Sequence, residues 1–159
     1  NSFEKKYEEK WLNMMRDKLG LFGIEEKDKF LILDLLTWMH QKKVDYTNTF
    51  CHLMNFKIDN DKSFKDKNFQ DWKKRWQERL KTKNNSPEKY MKLMRSVNPL
   101  VIPRNHKVEE VLNEANNNNI EPLNKILEIL KKPYSEQNNM IEFQIPTYSN
   151  EKYQTFCGT

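Results

Sequence analysis

Cys51 and His52 put a thiol and an imidazole side by side in the sequence. Sulfur nucleophiles need a base within hydrogen-bond reach and a third group to orient that base. Adjacent residues on a helix point about 100° apart, so these two do not face each other. Cys51 stands between Phe50 and Leu53, where a small buried hydrophobe fits, and the core reading outweighs the nucleophile. His40 closes an apolar helical run, where an imidazolium suits the helix dipole. His106 is far from it in sequence, and no His-x₃-His spacing marks a metal site. The carboxylate pairs Glu25-Glu26 and Glu109-Glu110 read as solvated helix faces or loops. Asp59-Asn60-Asp61 has the start of a calcium loop but lacks its turn glycine and its closing acidic residue. The 3 glycines of the chain exclude a glycine-rich phosphate loop or dinucleotide fingerprint. The sequence therefore predicts no catalytic, cofactor-binding or metal-ligating set.

The second cysteine, Cys157, is third from the chain end, between Phe156 and Gly158. A tail position gives solvent access and reach, the conditions for redox chemistry. Its unperturbed pKa is about 8.5, and only Lys152 lies close enough in sequence to lower it. A functional thiol and an inert tail residue both remain open. Two cysteines cannot make a disulfide framework, and unpaired thiols fit a reducing interior.

The elements that would position these groups are helical. Phe3, Tyr7, Trp11, Met14, Met15 and Leu19 recur at spacings of three and four, and Gly20 follows as a stop signal. Phe30, Leu31, Leu33, Leu35, Leu36, Trp38 and Met39 nearly encircle a second helix, which predicts a central, heavily buried element. Asp45 is an N-cap for a third helix carrying Tyr46, Phe50, Leu53 and Met54. A polar linker over 57–65 precedes a helix with Phe69, Trp72, Trp76 and Leu80. Ser86-Pro87 reads as an N-cap followed by the first helical residue, ahead of Tyr90, Met91, Met94 and Val97. Pro99 and Pro103 bracket Leu100-Val101-Ile102 and predict an extended stretch. Val108, Val111, Leu112 and Ala115 resume the helix. After a polar break at 116–119, Ile120, Leu123, Ile126, Leu127 and Leu130 build a last one, which Pro133 ends. No βαβ alternation or hairpin signal appears. The expected fold is all-α, about seven helices in an irregular bundle. A helical domain at 1–133 is followed by an extended tail at 134–159.

At 159 residues the chain has the size of one domain. Its mean hydropathy is −0.99, polar for a globular domain, yet 12% of its residues are aromatic, which argues against disorder. No apolar run is long enough to span a membrane, and no secretory signal opens the chain. It begins with Asn1 rather than Met, which predicts a piece of something longer, or a processed or incomplete chain. The net charge is +5. Residues 62–83 hold nine basic and three acidic side chains, a patch that a nucleic acid or another acidic partner could use. Phe69, Trp72, Trp76 and Leu80 at helical spacing form one apolar stripe there, and the stripe reading outweighs base stacking. A free-standing basic module that binds nucleic acid or an acidic protein is the alternative function.

Four segments carry a resemblance. They are Lys18-Leu19-Gly20-Leu21, Asp45-Tyr46-Thr47-Asn48-Thr49-Phe50, the run from Ser96 through Asn98-Pro99 to Arg104-Asn105-His106, and Pro133-Tyr134-Ser135. In this order and spacing, with Phe69, Trp72, Trp76 and Arg79 and a cysteine third from the end, the chain resembles the C-terminal region of the selenoprotein O family from Tyr7 to Thr159. The resemblance implies the C-terminal helical part of a kinase-like protein. The family's members are protein adenylyltransferases that move AMP from ATP, with Mg²⁺ or Mn²⁺, onto Ser, Thr or Tyr hydroxyls. It places the nucleotide-binding lysine, the metal-binding residues and the base outside these positions. No cofactor is expected in this chain itself, and it is expected to be inactive alone.

The implied partners are the kinase-like domain and the enzyme's protein substrates; no membrane is implied, and nucleic acid is disfavoured. Family members are mitochondrial in eukaryotes and cytoplasmic in bacteria, so a non-secreted protein is expected. Cys157 matches the family's terminal Cys or selenocysteine, implicated in redox control, although Gly158-Thr159 stand where Ser-Ser is usual. Asn98, Pro99, Arg104 and Asn105 are the expected structural clasp, with Arg104 bonding carbonyls or a carboxylate. An ordinary interhelix loop with Arg104 in water is the other reading.

Overall fold

The computed structural model describes residues 2–56, 62–83 and 85–147. Among them are eight α-helices, one 3₁₀ turn and no strand. In chain order they are α1 (Ser2–Lys18), α2 (Asp28–Lys42), α3 (Tyr46–Leu53), the 3₁₀ turn (Lys62–Lys65), α4 (Lys67–Lys81), α5 (Pro87–Val97), α6 (Asn105–Asn116), α7 (Glu121–Leu130) and α8 (Ile141–Gln144). The all-α expectation holds. No helix among the described residues is long and apolar enough to cross a membrane.

Local chemistry sets the ends of these helices. Gly20 takes φ +70°, and the Leu21 amide reaches back to the Arg16 carbonyl at 2.9 Å, the six-to-one bond of a left-handed helix stop. A Cβ on Gly20 would lie 3.0 Å from Met94 Cγ and 3.1 Å from the Tyr90 carbonyl, so glycine here also lets α1 approach α5. Lys43, at φ 53°, closes α2 in the same manner, with the Val44 amide on the Met39 carbonyl. Asp45, Asp66 and Ser86 cap α3, α4 and α5, each accepting a first-turn amide.

The core is built largely around α2 and α4. Trp38, Phe69, Trp72 and Trp76 stack in sequence, with successive centroids 4.5, 5.8 and 6.0 Å apart. Phe64, carried by the 3₁₀ turn, joins this row and places its ring parallel to His52 at 3.9 Å. Two indole N–H groups end on backbone carbonyls, Trp72 on Leu31 and Trp76 on Leu19, each at 2.8 Å. Thus the aromatic helix fastens to the ends of its neighbours as well as to their faces.

Three expectations change. α2 is not buried all round: Phe30 is 65% exposed and Leu33 also faces out. The stripe on α1 splits, because Met15 and Leu19 enter the core while Phe3, Tyr7 and Met14 stay outside. The segment after Pro133 also holds the short helix α8, whose Phe143 and Gln144 are buried with Met140. The first half of the tail therefore docks onto the bundle. Its only period is a single turn, which is too short for a sequence pattern to register.

Candidate functional site

One polar convergence lies where the extended stretch 98–104 crosses the start of α3. Asp45 accepts the Asn48 amide at 2.8 Å and so caps the helix. The same carboxylate receives Arg104 through both terminal nitrogens, at 2.8 and 3.0 Å. This is the planar fork-to-fork geometry in which a guanidinium binds a carboxylate best. Arg104 Nη2 also donates to Asn48 Oδ1 at 3.1 Å. Asn48 in turn donates to the Gln144 carbonyl, and Gln144 donates to the Leu100 carbonyl at 2.8 Å. One chain of bonds thereby joins α3, the stretch before α6, and α8.

Burial alone would raise the Asp45 carboxyl. The hydrogen bonds from Arg104 and the Asn48 amide outweigh it and hold the group below the usual carboxylate value. Arg104 is also the N-cap residue of α6, yet its side chain caps nothing there. Its buried Nε meets no partner among the described residues.

The other end of the stretch is tied to α1 and α5. Asn98 is buried and donates to the carbonyls of Lys18 and Met94, both at 2.9 Å. Its own oxygen accepts Lys18 Nζ at 3.0 Å. That ammonium lies over the rings of Phe50 and Tyr46, at 4.8 and 5.4 Å. Burial pushes the Lys18 pKa down, against a smaller opposite effect from Cys51. The Leu100 amide is held by the Pro133 carbonyl at 2.7 Å.

Of the expected clasp residues, Asn98, Pro99 and Arg104 converge on α1 and α3, whereas Asn105 is exposed at the first position of α6. Arg104 is paired and buried rather than in water. Cys157 lies outside the described residues, as does the Asp59–Asp61 segment.

A second convergence was not legible in the sequence. Asp28, with its side chain fully enclosed, receives Arg16 Nε at 2.8 Å and Arg79 Nε at 2.7 Å. It also accepts the Glu25 amide at 3.0 Å. Arg79 continues to the carbonyls of Phe22 and Gly23, and Thr82 donates to Glu25 at 2.7 Å. Burial by itself would raise the Asp28 carboxyl, but the bonds from Arg79, the Glu25 amide and Arg16 bring it below its ordinary value. The cluster ties the ends of α1 and α4 to the start of α2. The signal that could have found it is an acidic residue at the first position of an apolar helix. That signal reads equally well as a first-turn dipole partner.

The chemistry open to these groups is narrow. Burial, reinforced by the nearby Asp45 charge, raises the Cys51 thiol to about 12. At neutral pH it is a neutral thiol directed at the Pro99 carbonyl, as the core reading expected, and no thiolate nucleophile. His52 is committed to its stack on Phe64. His106 is shifted down by partial burial and by the charges of Lys107 and Arg104. No group of three or more His, Cys, Asp or Glu able to hold a metal occurs among the described residues.

In the basic stretch, Trp72 and Trp76 are buried with their N–H groups engaged, so neither offers a face to a base. Arg79 belongs to the Asp28 cluster, and Arg75 pairs with Asp34 across to α2 at 2.8 Å. The stripe reading of this helix holds.

Residues 1–131 match the family model described as protein adenylyltransferase SelO. Over 160 aligned residues the chain is 52% identical to a protein nucleotidyltransferase YdiU of Pelagibacter ubique, covering 100% of this chain and 33% of that protein. Proteins of the same name from Alcanivorax borkumensis and Bacillus cereus are each 43% identical, over 99% and 100% of this chain and 33% of theirs. The chain spans about a third of the length of the curated relatives it matches.

Proposed function

This chain belongs to the protein adenylyltransferase SelO family, and from that premise we propose that it is the C-terminal, structural and regulatory third of a longer nucleotidyltransferase. The whole enzyme moves AMP from ATP onto Ser, Thr or Tyr hydroxyls of other proteins. ATP and Mg²⁺ or Mn²⁺ are held in a kinase-like part supplied by the remaining two-thirds. The observation that carries this reading is the end-to-end match to one third of much longer nucleotidyltransferases. The polar clusters point the same way. Asp28 and Asp45, two carboxylates with several buried hydrogen bonds, are both spent on arginines and backbone amides within the chain. They serve as struts between helices. Phosphoryl-type chemistry needs charges free to meet a nucleotide and its metal.

Asn98, Pro99 and Arg104 form the clasp of this third, fixing the connection into α6 against α1 and α3. Cys157 carries a redox input to the enzyme, and the protein works in the cytoplasm of a bacterium or the mitochondrion of a eukaryote. The test is adenylylation by the complete polypeptide with ATP and Mg²⁺ or Mn²⁺, read by mass spectrometry of acceptor proteins. AMP on Ser, Thr or Tyr from the complete polypeptide, and none from the 159-residue chain alone, is the expected result. Transfer by this chain unaided, or none by the complete polypeptide with either metal, overturns the reading.

A further inference from the structure

The α1 helix has two apolar sides and uses only one. Met15 and Leu19 enter the core. Phe3, Tyr7, Trp11 and Met14 recur at spacings of four, four and three and so form a separate line along the helix. Phe3 and Tyr7 are 75% and 65% exposed and Met14 is exposed, while Trp11 is half-buried against the core. Every residue from 2 to 10 is exposed, so the first half of α1 buries little against the bundle. A helical segment without packing is marginal in water, since its stability comes mostly from burying an amphipathic face.

The line does not end in solvent. Lys18, one further turn along, lies over the Tyr46 ring, and the Tyr46 hydroxyl contacts Met15 Sδ at 3.5 Å. On α2, Phe30 and Leu33 also face out, and the Lys29–Glu8 ion pair joins this side of α2 to α1. Exposed apolar side chains thus stand on α1, on α2 and, with Tyr46, at the head of α3. A chain this polar leaves such a group open only where something else covers it.

We propose that this face is the seat of the remaining two-thirds of the same polypeptide, which packs the apolar line of α1, with Phe30, Leu33 and Tyr46, into an interface resembling a core. The inference rests on the reading of this chain as one third of a longer enzyme. The choice of occupant follows from the length comparison: relatives that match this chain from end to end carry about twice its length again. An obligate partner covalently attached to the chain explains an apolar face of this kind without needing a second copy.

The experiment is hydroxyl-radical footprinting of the complete polypeptide, native against denatured, with Met94 in the core as the protected standard. Expected are Tyr7 and Met14 protected several-fold, comparably to Met94. A double variant, Tyr7→Glu with Met14→Glu, lowers the melting temperature of the complete polypeptide. Reactivity of Tyr7 and Met14 near the denatured value, or an unchanged melting temperature, overturns the proposal. Protection that disappears on dilution identifies a second copy as the occupant and overturns it too.

Adenylylation measured on the same preparation separates the two ideas. A polypeptide that transfers AMP with this face open refutes the interface alone. One with the face protected but no transfer refutes the activity alone. A native product no longer than 159 residues refutes both.

Discussion

Arg104 and Asp45 meet fork to fork across 59 positions of sequence, with both terminal guanidinium nitrogens on the two carboxylate oxygens. The same carboxylate caps α3. A single side chain thus sets where a helix begins and where a distant extended stretch is pinned. Replacing Arg104 by Ala strands a largely buried carboxylate, and breaking such a pair costs about 3–5 kcal/mol. Arg104→Lys recovers only part, because an ammonium cannot satisfy both oxygens in one plane. Chemical denaturation of the complete polypeptide measures both, and equal midpoints for wild type and Arg104→Ala would refute the strut.

Asp28 and Asp45 govern the acid limb of stability. Both have folded-state values below those of the unfolded chain. Each therefore stabilises the fold fully above the unfolded carboxylate pKa of about 3.9. That contribution is lost as pH falls through the folded value. Stability should be flat with respect to these groups at neutral pH and drop steeply below about pH 4. Asp28→Asn should lower stability at pH 7 and make the acid limb shallower. Urea midpoints from pH 3 to 7 provide the check, and a limb of unaltered slope in the variant counts against this account.

Gly20 should tolerate no side chain. Its positive φ costs an L-residue about 1–2 kcal/mol. The added methyl would also press on Met94 and the Tyr90 carbonyl. Gly20→Ala should lower the melting temperature by several degrees, whereas Gly20→Asn should fare no better, because the contact with α5 persists. A melting curve that overlays the wild type would show that α1 can shift away from α5 at no cost.

Cys51 should be chemically silent in the fold. With its thiol raised to about 12 and enclosed against Pro99, it should resist alkylation at pH 8 and react only once denaturant is added. Peptide-level mapping after iodoacetamide treatment distinguishes it from Cys157. Rapid labelling of Cys51 in the native protein would mean that α3 opens readily.

The apolar helices, their caps at Asp45 and Ser86 and the Gly20 stop are legible from sequence because each rests on neighbours within a few residues. The Asp28 cluster is not. Arg16, Asp28 and Arg79 are 12 and 51 positions apart, and nothing local shows which of many charges on polar helices will be buried. Period alone likewise cannot tell which side of α1 meets the core. Its two apolar lines look alike in sequence and differ only in what lies opposite. The burial of Gln144 was hidden for a related reason, since a single turn has no period and its bonds go to Leu100 and Asn48 far upstream. For the clasp, the bracketing prolines predict an extended path, but the choice of Asp45 as Arg104's counterion is tertiary.

The amide of Glu25, in the connection between α1 and α2, donates to Asp28 at 3.0 Å, and that carboxylate is also gripped from the ends of α1 and α4. The acceptor of this one N–H is thus held in place from three separate segments. Deuterium uptake there should keep the clock of the innermost helices rather than that of a surface bend, so this outwardly ordinary loop opens only when the whole bundle does.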